Sequence, residues 1–221
     1  MYRPSPRPLP EPGVPVGSFV AVMVLRGDES RREALREIRS RFPGFRAAVL
    51  ADAAITARFR GERHEFRSRT DAWLQALRLC GQSDAFGAQV LYRLKASMQA
   101  REIPVLPRIA HRLAMIVGQV SIGDPVVVHP GVYLIHGQVV IDGLAEVHSG
   151  ATIAPWVTIG LRAGDYNGPT IGPDAHIGTG AKVIGPVTVG RGAQVGANAV
   201  VVDDVAAGAT AVGAPARSVA G

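Results

Sequence analysis

The sequence predicts an α+β protein in which a mainly helical N-terminal domain is followed by a β-helix, a coil of short parallel strands. Between residues 17 and 118 the apolar residues recur at three- and four-residue spacing, which is typical of amphipathic helices. After residue 118 the spacing changes to six, a period that neither an α-helix nor a simple strand has. We therefore predict a domain boundary near residue 118, between a helical domain over 17–118 and a β-helix domain over 119–221.

The charge balance also changes at this boundary. Residues 1–118 carry 20 Lys and Arg against 11 Asp and Glu, whereas residues 119–221 carry 4 against 7. A basic half is able to attract nucleic acid. Here, however, the arginines alternate with acids, as in SRREALREIRSRF, and aromatic residues for base stacking are few. The basic residues are interpreted as a solvated helix face, and no nucleic-acid partner is expected.

Three absences in the sequence bear on where the protein works. No apolar run is long enough to cross a bilayer, and the N-terminus lacks the apolar core of a signal peptide. The single cysteine, Cys80, cannot form an internal disulfide, which suits a reducing compartment. We therefore expect a cytoplasmic protein without membrane contact. No motif surrounds Cys80, so we interpret it as a helix residue rather than a nucleophile.

The first residues differ in composition from the rest of the helical part. Residues 1–16 contain six prolines, which predict an extended or disordered tail. Residues 18–25, SFVAVMVL, fit either a strand or the start of a helix, and the sequence leaves this open.

Four helices are expected between this segment and residue 118. Asp28 or Ser30 is a candidate cap for a helix through EALREIRSRF, which Pro43 and Gly44 end. Thr70 is the candidate cap of the second helix, TDAWLQALRLC. AFGAQVLYRLKASMQA and PVLPRIAHRLAMIV supply the other two.

The six-residue period after residue 118 combines an aliphatic position with a small apolar position four residues later. This pattern is typical of a hexapeptide β-helix, in which three hexads complete an 18-residue coil and coils stack about 4.8 Å apart. The aliphatic side chains point inward and the small ones allow the tight turns. The aliphatic series is Ile122, Val128, Leu134, Val140, Val147, Ile153, Ile159, Ile171, Ile177, Val183, Val189, Val195 and Val201. The small series is Ala175, Ala181, Val187, Ala193, Ala199 and Val205.

Two irregularities interrupt the period. One extra residue is placed near Ala145 and Glu146, and a ten-residue break, LRAGDYNGPT, runs over 161–170. The break predicts a loop extruded from the coil at 161–170. Loops of this kind interrupt regular stacking and are frequently functional.

The residues now described resemble the serine acetyltransferase branch of the hexapeptide acyltransferases. The likeness lies in the coil sequence GPTIGPDAHIGTGAKVIGPVTVGRGAQVGANAVVVDDV, in the closing VGAPARSV, and in the helical VLYRLKASMQAREIPVLPRIAHRL. It covers about residues 86–219. The resemblance implies a left-handed parallel β-helix, a homotrimer with acetyl-CoA in the grooves between subunits, and, as an alternative assembly, a dimer of trimers.

The resemblance also implies roles for particular residues. LIHGQVVI matches the element that carries the family's catalytic histidine, which makes His136 the general base. The family contacts CoA mainly through backbone groups and small residues. The corresponding positions here are Gly160, Leu161, Thr179, Ala197, Pro215 and Arg217.

The sequence departs from the family where serine is bound. Ile135 replaces the acid before the histidine, Ser121 replaces the Asp that orients it, and Asn167-Gly168 replace an Arg-His pair. A helical Asp-Pro pair also has no counterpart. We therefore expect a hydroxyl acceptor other than serine, such as a sugar or natural-product intermediate, with serine or homoserine as the alternative. The tail that docks the family's sulfhydrylase is not found, so no such complex is expected.

Acyl transfer from a thioester to a hydroxyl requires a base but no covalent enzyme intermediate. A neutral imidazole is suited to this task. Because His136 is two residues after the inward Leu134, its ring should point outward. The alternative interpretation is a structural histidine that forms a hydrogen bond within the protein and has no catalytic role. The candidate hydrogen-bond partners of the ring are Ser121, Asp142 and a backbone carbonyl.

Side chains around the predicted loop have two interpretations each. Trp156 and Tyr166 either line an acceptor pocket or pack at a trimer interface. Asn167 and Asp165 either contact the acceptor or form turns. Lys182 and Arg191 likewise either meet CoA phosphates or keep the surface soluble.

Two further histidines raise the question of a metal. His129 and His148 each follow an inward residue one coil apart and should stack on one face. Stacked histidines suggest zinc, as in the β-helical carbonic anhydrases, but the close-spaced histidine pair of that family is not matched. No metal is therefore expected, and a metalloenzyme and a non-catalytic scaffold are the remaining alternatives.

Overall fold

The computed structural model describes residues 28–163, 165 and 167–219. The proline-rich segment 1–16, the segment 18–25 and Tyr166 lie outside this range. Over the described residues, five helices precede fifteen short strands. The helices are α1 Asp28–Ser40, α2 Phe45–Phe59, α3 Arg69–Gln82, α4 Asp84–Ala100 and α5 Leu106–Gly118.

The strands form three sheets that wrap one apolar core, and this confirms the predicted α+β class with a β-helix. The first sheet has the order β1-β4-β7-β10-β13 and the second β2-β5-β8-β11, with parallel pairing throughout. The third runs β3-β6-β9-β12-β14, and antiparallel β15 closes it. The strands are β1 Val120–Ile122, β2 Val127–Val128, β3 Tyr133–Leu134, β4 Val139–Ile141, β5 Leu144–Val147, β6 Thr152–Ile153, β7 Thr158–Gly160, β8 Asn167–Ile171, β9 His176–Ile177, β10 Lys182–Ile184, β11 Thr188–Val189, β12 Gln194–Val195, β13 Val200–Val201, β14 Thr210–Gly213 and β15 Ala216–Val219.

The hexad pattern is correct except at one position. Val140 is 41% exposed, whereas Ile141 is buried and pairs with Ile122 and Ile159. The prediction that Val140 points inward is therefore wrong, and Ile141 takes its place. A strict six-residue spacing from Leu134 predicts Val140, but the extra residue moves the inward position to Ile141.

The extra residue consequently lies before Ile141 and not near Ala145 and Glu146. Leu134 pairs with Ile153, and Val140 pairs with Thr158. Five residues separate Leu134 from Val140, but only four separate Ile153 from Thr158. The additional residue thus belongs to the corner that joins the third sheet to the first, and this corner contains His136.

The extruded loop is shorter than predicted. Strand β8 begins at Asn167 and pairs with β5, where the register shifts between Leu144 and Glu146. Residues 167–170, which the sequence places in the loop, therefore belong to the second sheet.

Helix α4 covers the open end of the β-helix. The first coil has no preceding coil to satisfy its carbonyl groups, and buried polar side chains of α4 fill that role. Burial raises the pKa of the Tyr92 phenol to about 12, so it donates as a neutral hydroxyl. The bonds run from Gln89 to Val132 at 3.0 Å, from Tyr92 to Val126 at 3.0 Å, and from Lys95 to Ile122 at 2.6 Å.

A buried ion pair fixes this docking. Arg93 donates from Nε to Asp52 on α2 at 2.8 Å, and both side chains are at most 2% exposed. Arg93 also donates to the carbonyls of Val128 and His129, the latter at 2.8 Å. Asp52 accepts the Gly131 N–H at 2.8 Å. Burial raises the pKa of Asp52. The Arg93 guanidinium and the backbone N–H groups of Gly131 and Val132 oppose that rise.

Several helix predictions need correction. Ser68, not Thr70, caps α3, because its hydroxyl accepts the Asp71 N–H at 3.1 Å. Helix α2 was not singled out, since its alanine-rich sequence has no strong apolar stripe. Arg93 and Lys95 are buried, so not every basic residue lies on a solvated face.

None of the described helices is long and apolar enough to span a membrane. Cys80 is half-buried on α3, and burial raises the pKa of its thiol.

Replacement of Arg93 by Met should destabilise the protein strongly. The Asp52 carboxylate would remain buried without its cation, a change that costs about 3–5 kcal/mol in comparable cases. Urea unfolding followed by circular dichroism measures the loss. The matched control is Arg36→Met, which breaks the exposed pair with Glu102 and should leave the midpoint nearly unchanged. Equal effects of the two substitutions would contradict the structural role of the buried pair.

Candidate functional site

The candidate site is the corner between the third and first sheets in the first coil. His136 lies in this corner, and its side chain is 68% exposed. The neighbouring Gly137 is buried against the end of α5, whose last carbonyl, on Gly118, accepts the Gln138 N–H at 3.0 Å. A Cβ atom on Gly137 would lie 1.8 Å from that carbonyl oxygen. The ring of His136 therefore projects from a segment of backbone that packs against the end of α5.

An acid on α4 faces His136. Asp84 is the first residue of α4, which Ser83 caps through a 3.2 Å bond from the Phe86 N–H. One Asp84 oxygen accepts the Gly137 N–H at 3.3 Å, and the other is 3.9 Å from Nδ1 of His136. The carboxylate thus lies on the Nδ1 side of the ring, which leaves Nε2 as the nitrogen for a substrate proton.

Asp84 is a residue that sequence reasoning missed. The partners considered for His136 were Ser121, Asp142 and a backbone carbonyl. Asp142 instead accepts the Gly143 N–H at 2.7 Å, and Ser121 is half-buried in β1. The Ser83-Asp84 sequence signals only a helix start. The docking of α4 on the coil, 52 residues away in sequence, brings Asp84 to His136.

Two of the predicted acceptor residues lie at the same corner. Ile135 adjoins His136 and is half-buried, and Trp156 lies in the equivalent corner of the next coil with 59% of its surface exposed. The Trp156 backbone has φ +66°, and its carbonyl accepts a 2.5 Å bond from Lys182. Asn167 is elsewhere, at the start of β8 in the second sheet. Its N–H and side-chain amide both bind Asp165, which is the turn-forming alternative.

The predicted CoA residues fall into three groups. Thr179 and Ala197 are exposed and occupy the His136 corner in later coils, with the spacing of stacked coils placing them about 10 and 15 Å from its level. Gly160 ends β7 at a different corner, and Leu161 follows it. Leu161 packs over Gly143, where an added Cβ would lie 2.1 Å from Cδ2 of Leu161.

The last group lies in the terminal hairpin. Pro215 is exposed between β14 and β15, and Arg217 on β15 lies 3.4 Å from Asp203. Thr179 and Ala197 are therefore the predicted CoA residues that share a corner with His136.

A second cluster of titratable groups lies on the outer face of the second sheet. The rings of His129 and His148 are stacked with centroids 4.7 Å apart and planes within 8°, which confirms the predicted stacking. Glu146, which sequence reasoning did not assign, places Oε1 2.7 Å from Nε2 of His129 and 3.8 Å from Nε2 of His148. Arg41, just after α1, binds the other oxygen of Glu146. The cluster and the His136 corner are separate.

Comparison with known proteins places the fold among acetyltransferases. Residues 168–203 match the family model described as bacterial transferase hexapeptide, six repeats. No curated protein sequence matches the chain. A serine acetyltransferase in complex with CoA aligns with 24% identity over 91% of this chain and 83% of its own, at a TM-score of 0.66.

Other serine acetyltransferases give similar values. The soybean apoenzyme is 28% identical over 91% of this chain and 81% of its own, with a TM-score of 0.64. The enzyme from Neisseria gonorrhoeae is 24% identical over 93% and 84%, with a TM-score of 0.65. The described chain therefore shares the fold of these serine acetyltransferases, including the helices that precede the coil.

Substitution of Gly137 by Ala should disturb the His136 corner. The added methyl group cannot fit beside the Gly118 carbonyl, and forced overpacking of this kind costs about 1–3 kcal/mol. Thermal unfolding measures the loss. Gly81→Ala is the control, because open space surrounds that helical glycine and alanine there should stabilise by about 0.5–1 kcal/mol. Unchanged stability of the Gly137 variant would contradict the close approach of α5.

Proposed function

We propose that the protein is an acyl-CoA-dependent O-acyltransferase with acetyl-CoA as donor, a small hydroxyl compound as acceptor and His136 as general base. The observation that carries the proposal is the pairing of an exposed His136 with the Asp84 carboxylate on its Nδ1 side. That arrangement favours the tautomer that carries its proton on Nδ1 and leaves Nε2 free to accept one. The acyltransferase fold supports the reaction class.

In the proposed reaction the acceptor hydroxyl attacks the thioester carbonyl as Nε2 of His136 removes its proton. The tetrahedral intermediate then expels the CoA thiolate, and the imidazolium returns the proton to sulfur. In this proposal the negative charge of Asp84, on the Nδ1 side of the ring, stabilises the imidazolium. No side chain forms a covalent intermediate, so the bound substrates need only be held close together.

The proposed binding position of acetyl-CoA runs along the small residues that occupy the His136 corner in later coils. Thr179 and Ala197 are exposed in the same corner, where the backbone is open to a long, narrow ligand. The proposed assembly is a homotrimer, in which a neighbouring coil supplies a wall beside this exposed corner. The similar structure with bound CoA supports the donor.

The acceptor is proposed to be a hydroxyl compound other than serine, such as a sugar or natural-product intermediate. The half-buried Ile135 beside the base offers no charge for an amino acid head group, and Ser121 is uncharged. Trp156 adds an exposed aromatic surface in the next coil, which suits a sugar-like or partly apolar molecule. A serine or homoserine acceptor is the second candidate, favoured by the similarity to serine acetyltransferases and by the 48% exposed Asp84 carboxylate, which is able to bind an amino group.

Substitution of His136 by Ala should lower turnover by about 10²–10⁴-fold, the usual contribution of a general base. Asp84→Asn should reduce kcat less, while KM for acetyl-CoA stays the same, because Asp84 acts through the ring. Release of free CoA thiol measures both. The control is His176→Ala, an exposed histidine on β9. Near-normal turnover by the His136 variant, with its oligomer intact, would overturn the assignment.

A panel of acceptors separates the two candidates. We expect faster thiol release with sugar or polyol acceptors than with serine or homoserine, because the corner lacks the paired charges of an amino acid site. The same panel with Trp156→Ala provides the control, since loss of the aromatic surface should raise KM for the preferred acceptor. Serine or homoserine as the best acceptor would establish the second candidate instead.

A further inference from the structure

We propose that His129, Glu146 and His148 form a zinc site on the outer face of the second sheet, independent of the His136 corner. The geometry points to it because one carboxylate oxygen and two imidazole nitrogens converge. Their ligand atoms all lie within 4.8 Å of one another. Among the described residues no other group of three such side chains converges in this way. This site revises the expectation of a protein without metal.

The distances suit a tetrahedral ion. Two ligand atoms about 2.0–2.1 Å from zinc lie about 3.3–3.4 Å apart when the angle between them is tetrahedral. Oε1 of Glu146 is 2.7 Å from Nε2 of His129 and 3.8 Å from Nε2 of His148, so the present distances bracket that value. In this proposal the ion replaces the hydrogen bond between Nε2 of His129 and Oε1 of Glu146.

The backbone that carries the ligands is fixed before any metal binds. Glu146 and His148 are two residues apart across the end of β5, so both side chains project from the outer face of the sheet. His129 occupies the equivalent position to His148 one coil earlier, because Val128 pairs with Val147. The carbonyl of His129 is bound by the buried Arg93. Preorganisation of this kind reduces the entropy lost on metal binding.

One cation, the Arg41 guanidinium, already binds the Glu146 carboxylate. Arg41 occupies Oε2 and leaves Oε1 for the ion. Its side chain is half exposed, so water and salt screen its repulsion of a cation.

The donor set also indicates what the ion would do. Two imidazoles and one carboxylate are borderline ligands that suit zinc better than magnesium or calcium. Three protein ligands leave the fourth position to water or another small ligand, an arrangement associated with reactive rather than purely structural zinc. The histidine side chains are each 33% exposed, so that position faces solvent.

Zinc loading of the full chain, produced without an affinity tag, tests the proposal. The protein is stripped with a chelator, loaded with zinc, desalted and assayed by elemental analysis. We expect about one zinc per chain and a higher unfolding temperature. His148→Gln and Glu146→Gln should lose the zinc and the thermal shift, whereas His176→Gln should keep both. Cobalt loading adds a spectroscopic readout, since a tetrahedral Co²⁺ site absorbs visible light strongly.

Two results would overturn the site. One is wild-type protein that keeps no stoichiometric zinc after loading and gives no cobalt spectrum. The other is equal binding by the wild type and the His148 and Glu146 variants. Circular dichroism of each variant before loading shows whether it is folded, and Glu146→Asp, which retains the carboxylate, provides a second test if Glu146→Gln fails to fold. Thiol release at His136 is a separate assay, so failure of either proposal leaves the other intact.

Discussion

The buried pair of Asp52 and Arg93 joins the helices to the β-helix, and both candidate sites depend on it. Arg93 donates to two carbonyls of the first coil, and Asp52 accepts the N–H of Gly131. One charged side chain from each of two helices therefore binds the backbone of the same corner. A buried pair of this kind is costly to desolvate and gains from every additional hydrogen bond. Here those bonds replace the coil that would otherwise precede the first one.

The same docking determines the surroundings of His136. Five residues separate the paired positions Leu134 and Val140, one more than in the next coil, and His136 is among them. Helix α5 supports that turn from behind through Gly118, and α4 brings Asp84 beside the ring. His136 and Asp84 thus come from two distant parts of the chain and lie near each other because α4 docks on the coil.

The His129 cluster uses the coil in a different way. Its three side chains come from two adjacent coils of one sheet, where the stacking distance alone brings equivalent residues within contact. One solenoid therefore carries a candidate catalytic corner and a candidate metal site within the same two coils. Both faces begin at the coil that the helices cover, where extra support for the backbone is available.

The sequence alone determined the β-helix, because a six-residue aliphatic period has few other physical explanations, and it singled out His136 and the stacking of His129 on His148. It could not locate the extra residue, since Val140 and Ile141 are equally apolar and only strand register distinguishes inward from outward. Nor could it find Asp84 or the burial of Arg93. These depend on how α2 and α4 dock against the coil, and contacts between residues far apart in sequence leave no local periodicity to detect.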